Sequence, residues 1–120
     1  MGAATNPFLQ LAWHELSAAI SVALQDFPRL TAIELGDEVW KIERDRARLE
    51  IELLGVEDEI RVTRTLPSGT TSERVYRVTC MRPNLPLLLD RAGNLAPPGI
   101  VLEELFEWLA EGSNPLTANH

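Results

Sequence analysis

Residues 39–79 read VWKIERDRARLEIELLGVEDEIRVTRTLPSGTTSERVYRVT, and this stretch decides the fold. A turn at Asp45 and Arg46 brings apolar residues opposite apolar residues on one face and acids opposite bases on the other. The facing pairs are Ile42 with Leu49, Trp40 with Ile51, Glu43 with Arg48, and Lys41 with Glu50. Such alternation is typical of an antiparallel sheet with one buried and one solvated face.

The same alternation extends from this hairpin in both directions, over residues 30–82. Turn residues at 36–37, 55–59 and 66–71 separate the remaining strands. The further facing pairs that we predict are Ile33 with Trp40, Leu53 with Ile60, Ile51 with Val62, Ile60 with Val78, and Val62 with Tyr76. The pattern therefore predicts a five-stranded antiparallel meander.

A long helix is predicted over residues 6–27, before the sheet. Pro7 suits the first helical position, and Pro28 ends the helix. Its apolar residues recur at helical spacing and form one broad face, which we expect to cover the apolar face of the sheet. Only Glu15 and Asp26 are charged within this segment, which is too few for a helix with a whole side in water. We expect the helix to be covered on two sides.

A second, smaller apolar strip lies beside the polar stripe of this helix. It consists of Leu11, Ala18 and Val22. We expect this strip to be covered either by the C-terminal helix of the same chain or by another copy of the chain. The strip and the low charge of the helix together predict a homodimer.

The remainder of the chain supplies a small hairpin and a second helix. Residues 86–97 predict a short β-hairpin, residues 100–111 a helix that ends at Gly112, and residues 113–120 a loose tail. The predicted fold class is α+β, in a single domain. In it, an N-terminal helix packs on one face of a five-stranded antiparallel meander, followed by a short β-hairpin and a C-terminal helix.

Composition narrows the classes of partner and compartment. The net charge of −7 disfavours binding to nucleic acid or to an anionic membrane, because both depend on positive surface. Cys80 is the only cysteine, so no intrachain disulfide can form and a reducing compartment is expected. The first residues lack a basic segment followed by an apolar run, and no apolar run is long enough to span a membrane. We expect a cytoplasmic protein.

The sequence contains no pattern that predicts catalysis or a bound cofactor. Cys80 and His14 are the one internal thiol and imidazole, but the thiol has inner-face parity and the imidazole lies on the polar stripe of its helix. No spacing resembles a zinc or calcium ligand set, and the tip at residues 67–70 lacks the glycine spacing and lysine of a phosphate loop. We predict no catalytic residues, no metal and no cofactor.

Two arginines, Arg64 and Arg74, fall on the inner face of the sheet, where a buried arginine needs a partner. In the predicted register they face each other. They either lie beyond the end of the covering helix and reach water, or they form an anion site with Arg82 and nearby hydroxyl groups. The hydroxyl groups belong to Ser68, Thr70 and Thr71. Glu73 is an alternative partner that would neutralise the pair.

An acidic stripe, formed by Glu103, Glu107 and Glu111, follows one side of the C-terminal helix. Such a stripe is usually a solvated helix face, although it can also recruit a basic partner. We assign it, with Leu11, Ala18 and Val22, to a candidate interaction surface.

These observations favour a non-enzymatic protein-interaction module, adaptor or chaperone-like, that acts as a homodimer. The alternative is a small-ligand or anion-binding protein that uses the arginines at one end of the sheet. The first hypothesis depends on the absence of catalytic groups and on the low charge of the first helix, and the second depends on the arginine pair. A thermal-shift ligand screen separates them, because a ligand that binds only the native state raises the melting temperature.

Overall fold

The computed structural model describes residues 7–26, 30–35, 38–82 and 85–113, with side chains for all of these except residues 34, 35, 80–82, 112 and 113. The elements in chain order are α1 (Pro7–Asp26), β1 (Leu30–Leu35), β2 (Val39–Arg44), β3 (Ala47–Leu54), β4 (Glu59–Thr65), β5 (Thr71–Arg82), β6 (Leu85–Leu89), β7 (Leu95–Ala96) and α2 (Pro98–Ser113). The α+β class, with a helix at each end of an antiparallel sheet, is confirmed.

The sheet has seven strands in chain order, all antiparallel, and not the five that the sequence predicted. The hairpin expected to follow the meander instead continues it as β6 and β7. The cause is the length of β5, which has 12 residues and changes partner at Arg77. Its first half pairs with β4 and its second half pairs with β6.

The register of the central strands is as predicted. Between β2 and β3, the observed pairs include Trp40 with Ile51, Lys41 with Glu50, Ile42 with Leu49, and Glu43 with Arg48. Between β3 and β4, they include Ile51 with Val62 and Leu53 with Ile60. The apolar members of these pairs are all buried, whereas Lys41 and Glu50 form an ion pair of 4.0 Å on the other face.

The predicted pairing of Ile33 with Trp40 is wrong by one residue. Ile33 pairs with Lys41, and Glu34 pairs with Trp40. Because Leu35 pairs with Val39, three residues rather than two separate the strands. Side chains alternate between faces, so this shift turns Ile33 outward, where it is 60% exposed.

The predicted pairing of Val62 with Tyr76 is wrong by two residues. Tyr76 pairs with Ile60, and Val62 pairs with Arg74. The predicted register would pair Thr65 with Glu73, whereas the structure pairs Thr65 with Thr71, so the connection between the paired residues is two residues shorter than predicted. Gly69, at φ 93°, donates its N–H to the Leu66 carbonyl at 2.8 Å and makes this tight loop possible. A shift of two residues keeps every side chain on its predicted face.

Both helices lie on the same face of the sheet. The buried side chains of α1, α2 and the inner face form one cluster, and the helices also contact each other. Fully buried members include Leu16, Ile20, Ile51, Leu105 and Leu109. The Trp40 indole N–H donates to the Ser17 hydroxyl at 3.1 Å, which ties α1 to a side chain of β2. α1 contacts both the sheet and α2, but the described residues leave its second apolar strip open, since Ala18 is exposed and Val22 is 60% exposed. The expected cover on a second side is therefore not confirmed.

The second helix is longer than predicted at both ends. It begins at Pro98, which occupies the first turn, where a missing N–H leaves no hydrogen bond unmade. It continues through Gly112 to Ser113 instead of ending at that glycine. Three predicted features lie outside the described residues: the start of the first helix at Asn6, its end at Phe27, and the tail after Ser113.

Candidate functional site

The side chains of Arg64 and Arg74 both pack against one aromatic ring of α2. Their guanidinium carbons lie 4.6 Å and 4.1 Å from the centroid of the Trp108 ring, within range of a cation–π interaction. Trp108 is 8% exposed. The two arginines do not face each other directly, because Arg64 pairs with Ser72, and Arg74 therefore lies diagonally across the two strands. We call these three residues the Arg–Trp clamp.

The clamp also includes a hydrogen bond to the backbone of α2. Arg64 Nη1 donates to the Trp108 carbonyl oxygen at 2.9 Å. This carbonyl lies near the C-terminal end of α2, where the aligned peptide dipoles favour a nearby cation. Arg64 therefore holds both the ring and the main chain of α2 against the end of the sheet.

Arg64 and the neighbouring Tyr76 have shifted pKa values. Burial lowers the pKa of Arg64, the Glu111 carboxylate raises it, and the neighbouring Arg74 lowers it further. Arginine stays charged at neutral pH, because its ordinary pKa lies far above 7. Burial raises the pKa of Tyr76, while its hydrogen bond with Arg74 acts in the opposite direction. Both guanidinium groups are therefore already engaged by groups of the same chain.

A cavity of about 530 Å³ opens beside the clamp. Its charged lining has five carboxylates against two guanidinium groups, which makes it a poor environment for an anion. The carboxylates are Glu73, Asp90, Glu104, Glu107 and Glu111, and the bases are Arg74 and Arg91. The alternative hypothesis of an anion site is therefore not favoured by the charges around the arginine pair.

The structure does not bring the other predicted anion-site residues to the clamp. Arg82 lies eight positions after Arg74 in β5, about 26 Å along the strand, and its side chain is not among those described. At the loop tip, the Ser68 hydroxyl donates to the Thr70 hydroxyl at 3.0 Å. Glu73 pairs with Arg61 and Arg91, at 3.5 Å and 3.9 Å, and not with the two inner arginines.

A groove of about 630 Å³ runs between α1 and α2. We call it the interhelical groove. Its floor is formed by small and apolar residues of both helices, which are Ala19, Val22, Ala23, Gly99, Leu102, Phe106 and Ala110. The charged residues that line it are Asp26, Arg44, Glu103 and Glu107.

The predicted interaction residues divide between the groove and its surroundings. Val22 lines the groove and is 60% exposed, Ala18 is exposed, and Leu11 is half-buried. Of the acidic stripe, Glu103 and Glu107 line the groove, and Glu107 and Glu111 line the cavity beside the clamp. The C-terminal helix therefore lies next to the apolar strip of α1 but does not cover all of it.

The residues considered for catalysis are described only in part. His14 is exposed on α1, while the Cys80 side chain lies outside the described residues, so the structure does not test that dyad. Within the described ranges, no group of three or more histidine, cysteine, aspartate or glutamate side chains is arranged to hold a metal ion. None of the described helices combines the length and apolar character needed to cross a membrane.

Two features of this surface were not predicted from the sequence. Trp108 was not assigned to any site, although two inner-face arginines need an acidic, carbonyl or aromatic group to meet them when they are buried. The interhelical groove depends on how α1 and α2 lie together, and helical periodicity alone does not supply that arrangement. The one sequence feature that indicated the groove was Val22, a member of the second apolar strip.

Comparisons with known proteins give no relative for this chain. No protein-family model, no curated protein and no solved structure matches it. The functional argument therefore depends on the surfaces described above.

Proposed function

We propose that this protein is a non-enzymatic interaction module, of the adaptor or chaperone-like kind, that binds a segment of another protein in the interhelical groove. The observation that carries the proposal is the groove itself, which has an apolar floor about three helical turns long, partly open to water at Val22. Exposed apolar surface rimmed by polar residues is typical of a protein-binding site.

The test uses a neutral amphipathic peptide of about 16 residues, with a leucine and alanine stripe and glutamine elsewhere. Calorimetric titration should show saturable binding with a negative heat-capacity change, because apolar surface is buried. Val22→Glu should abolish the binding. Val56→Glu is the matched control, since Val56 is 84% exposed in a turn away from the groove. Equal binding by both variants would contradict the proposal.

We further propose that the protein acts as a homodimer that forms through β1. This strand is one edge of the sheet and has six residues, whereas the other edge strand, β7, has two. Natural edge strands are commonly protected by several charged residues, proline or a bulge, whereas β1 has no proline or bulge and Glu34 is its one charged residue. Two copies of β1 can pair antiparallel about a twofold axis, which leaves the interhelical groove available for a different partner.

Sedimentation at micromolar concentration tests the dimer. The wild type should sediment as a dimer, and Ile33→Lys should sediment as a monomer. Because Ile33 points outward, this substitution places a charge on the edge without disturbing the core. A wild type that sediments as a 13.4 kDa monomer would show that the dimer is wrong.

A further inference from the structure

We infer that the interhelical groove takes an amphipathic helix from a basic protein, with an apolar stripe flanked by lysine or arginine. This inference rests on the proposed function and adds the conformation and the charge of the partner. Three observations support this inference: the shape of the groove, the charges on its rim, and the lack of lysine and arginine in both helices.

The shape of the groove favours a helix over an extended strand as its occupant. The groove lies between α1 and α2, whose backbone N–H and C=O groups are already bonded within each helix. An extended segment lying there would leave its own backbone groups without partners, whereas a helix satisfies them internally. The α2 wall runs from Gly99 to Ala110, about 16 Å, which matches about three turns of a docked helix.

The rim charges favour a basic partner. Asp26, Glu103 and Glu107 line the groove, against Arg44 as the one base in its described lining. None of these three carboxylates forms an ion pair within the part of the chain that the structure describes. Asp26 also ends α1, whose last turn has no basic residue, so the negative end of the helix dipole adds to its charge.

A second copy of the chain does not fit the same groove. Neither α1 nor α2 contains a lysine or an arginine. A symmetric contact through this face would place the carboxylates of one copy against those of the other, which is unfavourable. The complementary cations must therefore come from a different protein.

The test compares three fluorescein-labelled peptides that share one apolar stripe and differ only in flanking residues, which are lysine, glutamine or glutamate. In fluorescence anisotropy with the wild-type protein, the lysine peptide should bind about tenfold tighter than the glutamine peptide at about 50 mM salt. The difference should shrink at about 300 mM salt, because the rim is exposed and its charges are screened.

Two double variants with the same change in net charge locate the effect. Glu103→Lys with Glu107→Lys reverses the rim and should make the glutamate peptide the preferred ligand. Glu38→Lys with Glu57→Lys reverses two exposed carboxylates in the turns before β2 and after β3, outside the groove lining, and should leave the preference for lysine unchanged. If this control variant loses the preference equally, the attraction is nonspecific and the inference is wrong.

The remaining outcomes separate this inference from the proposed function. Equal binding of the lysine and glutamine peptides, both lost in Val22→Glu, would overturn the basic partner and keep the groove as a binding site. No binding of any peptide to the folded protein would overturn both.

Discussion

Arg64→Ala is the substitution that most directly examines the Arg–Trp clamp. The variant loses the hydrogen bond from Nη1 to the Trp108 carbonyl and the contact with the Trp108 ring. A hydrogen bond to a charged group contributes about 1.5–3 kcal/mol, and a cation–π contact about 0.5–1 kcal/mol. Part of this is offset, because burial of Arg64 has a cost and its neighbour Arg74 repels it. We expect a net loss of about 2–3 kcal/mol in the free energy of unfolding.

Urea unfolding followed by tryptophan fluorescence measures this loss, which should lower the midpoint by about 1–2 M. Arg77→Ala is the matched control, since Arg77 lies on β5 but is exposed on the opposite face, and it should cost less than about 0.5 kcal/mol. A double-mutant cycle of Arg64→Ala with Trp108→Leu isolates the contact between the arginine and the ring. The substitution by leucine removes the ring and keeps the backbone carbonyl that accepts the hydrogen bond. Its coupling energy should be about 0.5–1 kcal/mol. If Arg64→Ala costs no more than the control, the clamp does not hold α2 and the reasoning is refuted.

The remaining predictions concern the core, the 90–94 turn and the anion hypothesis. Ile51→Ala should lower the free energy of unfolding in urea by about 2–5 kcal/mol, because Ile51 is fully buried. Glu50→Ala should lower it by less than about 1 kcal/mol, and equal losses in the two variants would contradict the register. The pKa of Asp90 is lowered, mainly by the Asn94 backbone N–H, which donates to the Asp90 carboxylate at 2.9 Å. The ionised carboxylate therefore stabilises the folded state above the unfolded-state pKa of about 4, and this stabilisation is lost as the pH falls through the folded-state pKa. The urea midpoint of Asp90→Asn should therefore fall less than that of wild type from about pH 5 to about pH 2, and parallel curves would contradict this. Titration with phosphate or citrate should give no saturable change in tryptophan fluorescence, and a response that Arg64→Ala removes would favour the anion-binding alternative.

The central hairpins could be predicted because local and facing signals agree there. The turn at Asp45 and Arg46 has two residues, and Asp45 adopts φ 52°, a conformation that aspartate tolerates better than most residues. A register shifted by one residue would place charged residues of β2 and β3 under the helices, and a shift of two residues would lose the two-residue turn at Asp45 and Arg46.

The first strand could not be placed for the opposite reason. Its apolar residues occupy both parities, with Leu30 and Ala32 on one face and Ile33 and Leu35 on the other. Either register therefore buries two apolar residues, and the loop length decides between them. The pattern of residues alone does not contain that length.

The partner of the two arginines could not be predicted from the sequence, for a similar reason. Inner-face parity of Arg64 and Arg74 follows from the alternation in β4 and β5, and the structure confirms that both meet the covering layer. Their partner, Trp108, comes from a helix 44 positions after Arg64 in the chain. Which turn of α2 reaches this end of the sheet is set by the packing of both helices, so no local spacing predicts it.

The most direct test of the account is a map of amide chemical-shift changes in the isotope-labelled protein on addition of the lysine-flanked peptide. We predict the largest changes in residues 19–26 of α1 and residues 99–110 of α2, with the 90–93 turn beside the clamp unchanged. Changes concentrated at the edge strand β1 or at the cavity beside the clamp, with the groove unaffected, would contradict the central claim that the interhelical groove is the docking site.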